Sequence, residues 1–383
     1  MITLLERIFI KQGKDERRAY GILCGSLGIA LNLLLFAGKY LSGFLSGSIA
    51  VMADAFNNLS DAGSSVITLL GFQFAGQAAD EEHPFGHGRI EYLSGLAVSI
   101  AIIVMGVELG RSSIEKIIHP EAVDTGVLSM AILLVSVAVK LYMSFYNRRI
   151  GAKIDSAAMK ATAADSLSDA LATSMVLLSM LIMKFTGVNV DGWCGVLVAV
   201  FILKAGYEAA KETLNPLLGQ APEPEFIDEI QEIVLSRPEI IGIHDLVVHD
   251  YGPGHRMVSL HGEVDGSQDI FELHDAIDGV EMELQKRLGC EAVIHMDPVN
   301  LKDPEMQEKK ARISQMVKAI DQRLTIHDFR LVHGGGVTKL LFDVVMPFGM
   351  KMGEEELKKQ IQDQVCETMP CCCAIIQIDH SYV

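Results

Sequence analysis

The chain has 383 residues, 50% of them hydrophobic, and its mean hydropathy of +0.30 is too high for an ordinary soluble protein. A net charge of −17 argues against docking on nucleic acid or on anionic lipid, and suits a protein that attracts divalent cations. The seven cysteines form no paired spacing framework, which points to a reducing compartment.

The apolar residues concentrate before about Leu218 and the charges after it, so a membrane half precedes a soluble half. Residues 1–20 carry Arg7, Lys11, Lys14, Arg17 and Arg18 without a small-residue cleavage site. They read as a cytoplasmic amphipathic arm rather than a cleaved signal peptide. Six spans follow, at about 22–41, 49–71, 92–114, 127–145, 157–183 and 190–210. Basic residues cluster in the arm and after the fourth span (Arg148, Arg149, Lys153, Lys160), which puts both termini in the cytoplasm of a multi-pass cell-membrane protein. The stretches 43–47 and 119–120 are then outer turns. The membrane domain is expected over 21–214.

Two of these spans carry chemistry. In the second, Asn57 and Asp61 lie one helical turn apart on a polar stripe that continues through Ser64, Ser65 and Thr68. In the fifth, Asp165 and Asp169 repeat the same spacing, with Thr162 and Thr173 extending the stripe. Polar residues between spans also serve as packing glue. Three carboxylates in two matched spans, however, need a counter-cation in a dry environment. Converging, Asn57, Asp61, Asp165 and Asp169 make an all-oxygen site for a divalent cation, and the carboxylates can take protons when the metal leaves. Directly after the second span, Asp80, His83 and His87 form a loop with metal-ligand spacing, although His83 and His87 also suit a plain turn before a helix.

The soluble half, 215–300, reads as helix, strand, Gly-Pro-Gly turn, strand, helix, strand: an α+β lobe with a three-stranded sheet. It then repeats over 301–383. Ile243-His244-Asp245-Leu246 returns as Ile326-His327-Asp328-Phe329, and Val293 to Asp297 returns as Ile375 to Asp379, with 302–310 as a charged linker. The run Cys371, Cys372, Cys373 reads as small hydrophobes at a strand start, since neighbours on a strand face opposite ways and share a tetrahedral metal poorly.

Taken together, the Asn57/Asp61 pair, the His83-Pro-Phe-Gly-His87-Gly motif, the Asp165/Asp169 pair and the αββαβ lobe resemble the cation diffusion facilitator family over about residues 10–300. The resemblance implies a homodimeric six-span metal/proton antiporter with a ferredoxin-like, metallochaperone-like cytoplasmic domain, sitting in membrane lipid. It implies transport at Asn57, Asp61, Asp165 and Asp169, with no prosthetic group. It also implies secondary metal at Asp80, His83 and His87, and regulatory metal in the first lobe at His244, His261, His274, His295 and Asp297. With neither Asn57 nor Asp165 replaced by His, the site looks like that of bacterial manganese exporters. Zinc, iron, cobalt and cadmium stay open as cargo. The second lobe has Asp343, Lys358, Gln377 and Asp379 where the first has His261, His274, His295 and Asp297, so it is expected to be a structural or dimer-extending copy. Arg89 is present, but the position of its usual acidic partner holds Gly219. A membrane metalloenzyme is disfavoured, because no span holds a His-Glu-x-x-His run or a nucleophile motif. A passive channel could not accumulate metal against a gradient.

Overall fold

A computed structural model describes residues 16–46, 49–119, 126–334 and 337–380. Its described residues divide into a helical unit and a unit of two α+β lobes. Most of the expected N-terminal arm, Gly47 and Pro120 lie outside the described residues.

The helical unit contains α1 (Glu16–Ser46), α2 (Ile49–Ala75), α3 (Ile90–Ile118), α4 (Val127–Lys153), α5 (Ala157–Thr186) and α6 (Asp191–Leu214). Among the described residues, Glu16–Leu41, Ile90–Ile118, Val127–Lys153, Ala157–Thr186 and Asp191–Leu218 are long and apolar enough to cross a membrane. The polar-striped α2 has 27 residues, about 40 Å of helix, which is ample for the same task. The turn expected at 43–47 is mostly absent, because α1 continues as helix through Ser46. Ser156 starts α5 by accepting the Met159 backbone N–H on its side chain, and Gly187, at φ 74°, ends it in the left-handed conformation that glycine adopts freely.

The helices pack as neighbouring pairs, α1 along α2, α3 along α6 and α4 along α5. Close approach is possible where side chains vanish. A Cβ on Gly25 would stand 2.8 Å from Leu69 Cβ, and one on Gly95 2.8 Å from Ala158 Cα. One apolar cluster joins α1, α2, α4 and α5 around Tyr20, Phe72, Met143 and Tyr146, and another joins α3, α5 and α6 around Ile102, Val198 and Ile202. Hydrogen bonds then set helix rotation: the Thr68 and Thr162 hydroxyls lie 2.8 Å apart between α2 and α5. At one end of the bundle the buried Glu91 carboxylate accepts two bonds from Arg17, at 3.0 and 2.8 Å, and one from the Ser156 hydroxyl. Glu91 therefore ties α1, α3 and the start of α5 together.

The other unit repeats one design twice. The first lobe is α7 (Pro224–Leu235), β1 (Ile240–Asp250), β2 (Arg256–Asp265), α8 (Ile270–Leu288) and β3 (Glu291–Val299), with strand order β1-β2-β3. The second is α9 (Pro304–Ile320), β4 (Thr325–Gly334), β5 (Val337–Val345), α10 (Glu354–Thr368) and β6 (Cys372–Asp379), in order β4-β5-β6. In each sheet the first pair is antiparallel and the second parallel, with a helix making the crossover. Each lobe closes its own core, around Ile230, Leu260 and Leu284 in the first and Ile313, Phe342 and Ile361 in the second. The stretch expected as a charged linker is largely helix: Asp303 caps α9 by accepting the backbone N–H groups of Glu305 and Met306.

A further detail matches between the lobes. Both first strands break register just after a histidine, between His244 and Val247 and between His327 and Arg330. The residue after each histidine has left-handed backbone, Asp245 at φ 50° and Asp328 at φ 51°. Aspartate tolerates that conformation better than most residues, and a bulge there re-aims the side chains beside it.

The Glu91 hub generates a stability prediction. Replacing Glu91 by Ala should remove the acceptor shared by Arg17 and Ser156 and destabilise the helical unit by about 2 kcal/mol. Detergent-solubilised protein should show a lower thermal midpoint; an unchanged midpoint would remove the hub from the account.

Candidate functional site

The stripes on α2 and α5 meet at a cluster centred on a lysine. Lys140, from α4, has a side chain only 3% exposed, and its Nζ donates to Asp61 Oδ2 at 2.6 Å and to Asp169 Oδ2 at 2.7 Å. Asp165, buried one turn before Asp169, lies within electrostatic reach of both acids and of the ammonium. Asp61, Asp165 and Asp169 are thus brought together as the sequence suggests. Asn57 is exposed. The buried amide belongs to its neighbour Asn58, 2% exposed, whose Nδ2 makes no hydrogen bond. The difference is one helical step: Ala55, Asn58, Ala62 and Ser65 follow the inward face of α2, and residue 57 falls about 100° off it. The expected oxygen quartet is therefore an acidic trio around an ammonium. Lys140 is the member of the cluster that the carboxylate pattern does not indicate, although a lone lysine inside an apolar span is as costly as a lone aspartate and marks a functional site equally well.

The loop between α2 and α3 gathers its three expected residues. Asp80 Oδ1 lies 3.4 Å from His83 Nδ1 and Asp80 Oδ2 lies 3.4 Å from His87 Nε2, and the two imidazole rings are 4.6 Å apart. The Asp80 carboxylate also accepts the His83 backbone N–H at 2.7 Å, which holds its pKa below the usual value. His87 is mostly buried, and its Nδ1 makes no hydrogen bond.

In the first lobe His244, His261 and Asp297 offer ligand atoms within 4.8 Å of one another. They come from adjacent strands: the register sets His244 opposite His261, and His261 opposite His295. Asp297 collects the imidazoles, with His261 Nδ1 at 2.8 Å, His244 Nε2 at 3.1 Å and His295 Nε2 at 3.2 Å from its oxygens. The His244 contact is close but misdirected, so that buried nitrogen remains without a hydrogen bond. Three imidazoles around a carboxylate, one with an orphaned buried nitrogen, fit a divalent metal of intermediate softness. His274 does not join them. It stands exposed on α8, 3.5 Å from Asp278 one turn along the same helix.

The second lobe also keeps ligands. His327, Asp343 and Asp379 form one cluster within 4.8 Å, and His327 forms another with His244 and Asp245 of the first lobe. Burial, with His244 adding to it, pushes the His327 imidazole below its ordinary pKa. Burial and the neighbouring Asp379 raise the Asp343 carboxyl to about 6. The second lobe lacks most of the first lobe's histidines, yet its carboxylates and His327 still form ligand clusters. No cysteine belongs to a ligand cluster among the described residues, and Cys372 packs on the second lobe's core.

Comparisons with known proteins agree with this layout. Residues 26–218 match the family described as the cation efflux transmembrane domain, and residues 222–299 match the cation efflux protein cytoplasmic domain. An uncharacterized transporter of Methanocaldococcus jannaschii is 32% identical over 275 residues, covering 72% of this chain and 97% of that protein. The cation-efflux pump FieF of Salmonella agona is 28% identical over 298 residues, covering 74% of this chain and 96% of the pump. Its namesake from Escherichia coli O139:H28 is 27% identical over 288 residues, again 74% and 96%. Both family matches end by residue 299, so α9 to β6 lie beyond them.

The first-lobe geometry separates ligand from bystander. Asp297→Ala should weaken zinc binding at this site in the full chain by about tenfold or more, read by competition with a chromophoric chelator, whereas His274→Ala should leave it unchanged. Equal losses in both variants would return His274 to the ligand set.

Proposed function

The chain belongs to the cation efflux family, and on that premise we propose that it exports manganese(II) from the cytoplasm in exchange for protons. It is a multi-pass membrane transporter of divalent cations and not an enzyme. The observation that carries the finer reading is the meeting of Asp61, Asp165 and Asp169 around the Lys140 ammonium. The three carboxylates outnumber the ammoniums that act on them, Lys140 and, on Asp61, the buried Lys39, so the cluster keeps a net negative charge that a divalent cation offsets. In an apolar surround that balance matters, because a surplus charge of either sign is poorly solvated.

The cycle follows from that balance. Without cargo, Lys140 occupies the cation's place and keeps the acidic trio from repelling itself apart. An arriving metal displaces the ammonium from Asp61 and Asp169 and takes oxygen ligands from both helices. Protons entering from the outer side neutralise the carboxylates, weaken their hold on the metal, and are carried inward as the site resets. Cargo and protons thus compete for the same oxygens, which is the physical basis of exchange. Ligand chemistry supports manganese. Zinc gains most from nitrogen and sulfur in a four-coordinate site, and an oxygen-only site with room for more ligands removes much of that advantage. The match of residues 222–299 to the family's cytoplasmic domain supports a homodimer with both termini in the cytoplasm.

Vesicles reconstituted with the full chain test this reading. Asp61→Ala, Asp165→Ala and Asp169→Ala should each abolish metal movement while the purified protein stays folded. Acidifying the side that receives metal should speed export, since protons there drive release; insensitivity to the gradient would contradict exchange.

Selectivity gives a second test. Asp165→His places one nitrogen in the oxygen set and should shift preference from manganese toward zinc about tenfold, roughly 1.4 kcal/mol. Wild-type vesicles that already move zinc faster than manganese would overturn the manganese assignment while leaving metal export standing.

A further inference from the structure

Among the described residues of the soluble lobes, His327 is the side chain with two buried nitrogens and no hydrogen bond to either. It is 6% exposed, and neither of its ring nitrogens makes a hydrogen bond. Burying an imidazole in that state is costly unless something else occupies its lone pair. Its surroundings are carboxylates from both lobes. Nε2 lies 3.6 Å from Asp245 Oδ1 in the first lobe and 3.8 Å from Asp379 Oδ2 in its own. Asp343, opposite His327 in the β4–β5 register, completes the second-lobe cluster within 4.8 Å.

Those distances are informative. They are too long for hydrogen bonds. Two ligand atoms each about 2.1 Å from a tetrahedral metal stand roughly 3.4 Å apart, close to the spacing found here. His327 thus stands at ligand spacing from Asp245 and from Asp379, and Asp343 joins His327 and Asp379 within 4.8 Å.

We propose that His327, Asp245, Asp343 and Asp379 hold a divalent first-row cation between the two lobes of a single chain. The site differs from the first-lobe cluster, whose centre is Asp297. Asp245 links the two, since its other oxygen, Oδ2, lies 3.3 Å from His244 Nδ1. The lobes also meet through equivalent residues of the repeat, with the His244 and His327 rings 4.6 Å apart.

One substitution between the repeats explains why the shared carboxylate comes from the first lobe. Asp328, the counterpart of Asp245, is held by Arg330 at 2.5 Å. Where the second lobe has Arg330, the first has Val247, which leaves Asp245 free of any such clamp to face His327. The left-handed backbone at Asp245 turns the carboxylate out of the strand's alternation to reach both histidines. One nitrogen and three carboxylates suit zinc, iron(II), cobalt(II) or manganese(II). A bound ion would fix the second lobe against the first, a role the transport reading neither requires nor supplies.

The test is a zinc count on purified, metal-stripped full chain after equilibration with zinc and removal of loosely bound ion. His327→Asn and Asp379→Asn should each retain one zinc fewer per chain than the wild type. His261→Asn, which touches the first-lobe cluster alone, should lose a different ion, so that His327→Asn combined with His261→Asn loses two. Asp379 is partly exposed and Asn nearly matches its shape, so this variant reads the site without a core substitution. A zinc count equal to wild type in Asp379→Asn overturns the proposal, whatever the transport activity of the chain.

Discussion

Charge placed where water is excluded is the constraint on which this protein depends. Asp61, Asp165 and Asp169 sit on the polar stripes of two largely apolar helices, and like charges so close together are unstable alone. Lys140 resolves this by bringing a cation on a flexible stem. On the proposed exchange reading, a tethered cation withdraws when cargo arrives and returns when cargo leaves. The surrounding architecture follows from the need to hold three helices in register at that point. The Thr68–Thr162 contact fixes α2 against α5, the apolar cluster around Met143 and Tyr146 carries α4, and Glu91 locks α3 to α1 and to the start of α5.

A second use of the same constraint governs the soluble lobes. Here the buried groups are imidazoles and carboxylates in clusters that mix both types, which attract metal without any charge being stranded. Duplication gave the chain two αββαβ lobes with the same bulge after the same histidine. The lobes differ in their side chains: the first has a row of histidines across its sheet, His244, His261 and His295, whereas the second has Asp343 and Gln377 at two of those places and pairs Asp328 with Arg330.

Much of this was legible in the sequence where a periodicity carried it. The i, i+4 acids and the hydroxyl stripe placed Asp61, Asp165 and Asp169, and hydropathy located the long helices because bilayer thickness leaves little choice of length. The repeat was visible because Ile-His-Asp recurs. What escaped was whatever depends on rotation or on backbone detail. Asn57 and Asn58 are adjacent in sequence, and only helix packing decides which faces inward. His274 lines up with a ligand position by resemblance, yet α8 turns it outward to Asp278. Asp245 reaches His327 through a left-handed residue that no hydrophobic pattern encodes. Lys140 is legible in the sequence, since an apolar span with one lysine is anomalous, but which carboxylates it meets depends on helix packing.

The central claim is that Lys140 stands in the place of the transported cation, and metal affinity measured beside turnover tests it most directly. Lys140→Met keeps much of the stem's bulk and removes the competing charge. Purified Lys140→Met protein should bind manganese(II) more tightly at the Asp61, Asp165 and Asp169 site, yet move it more slowly in vesicles, because nothing returns to expel it. Binding and turnover both equal to wild type would contradict the account, and so would weaker binding.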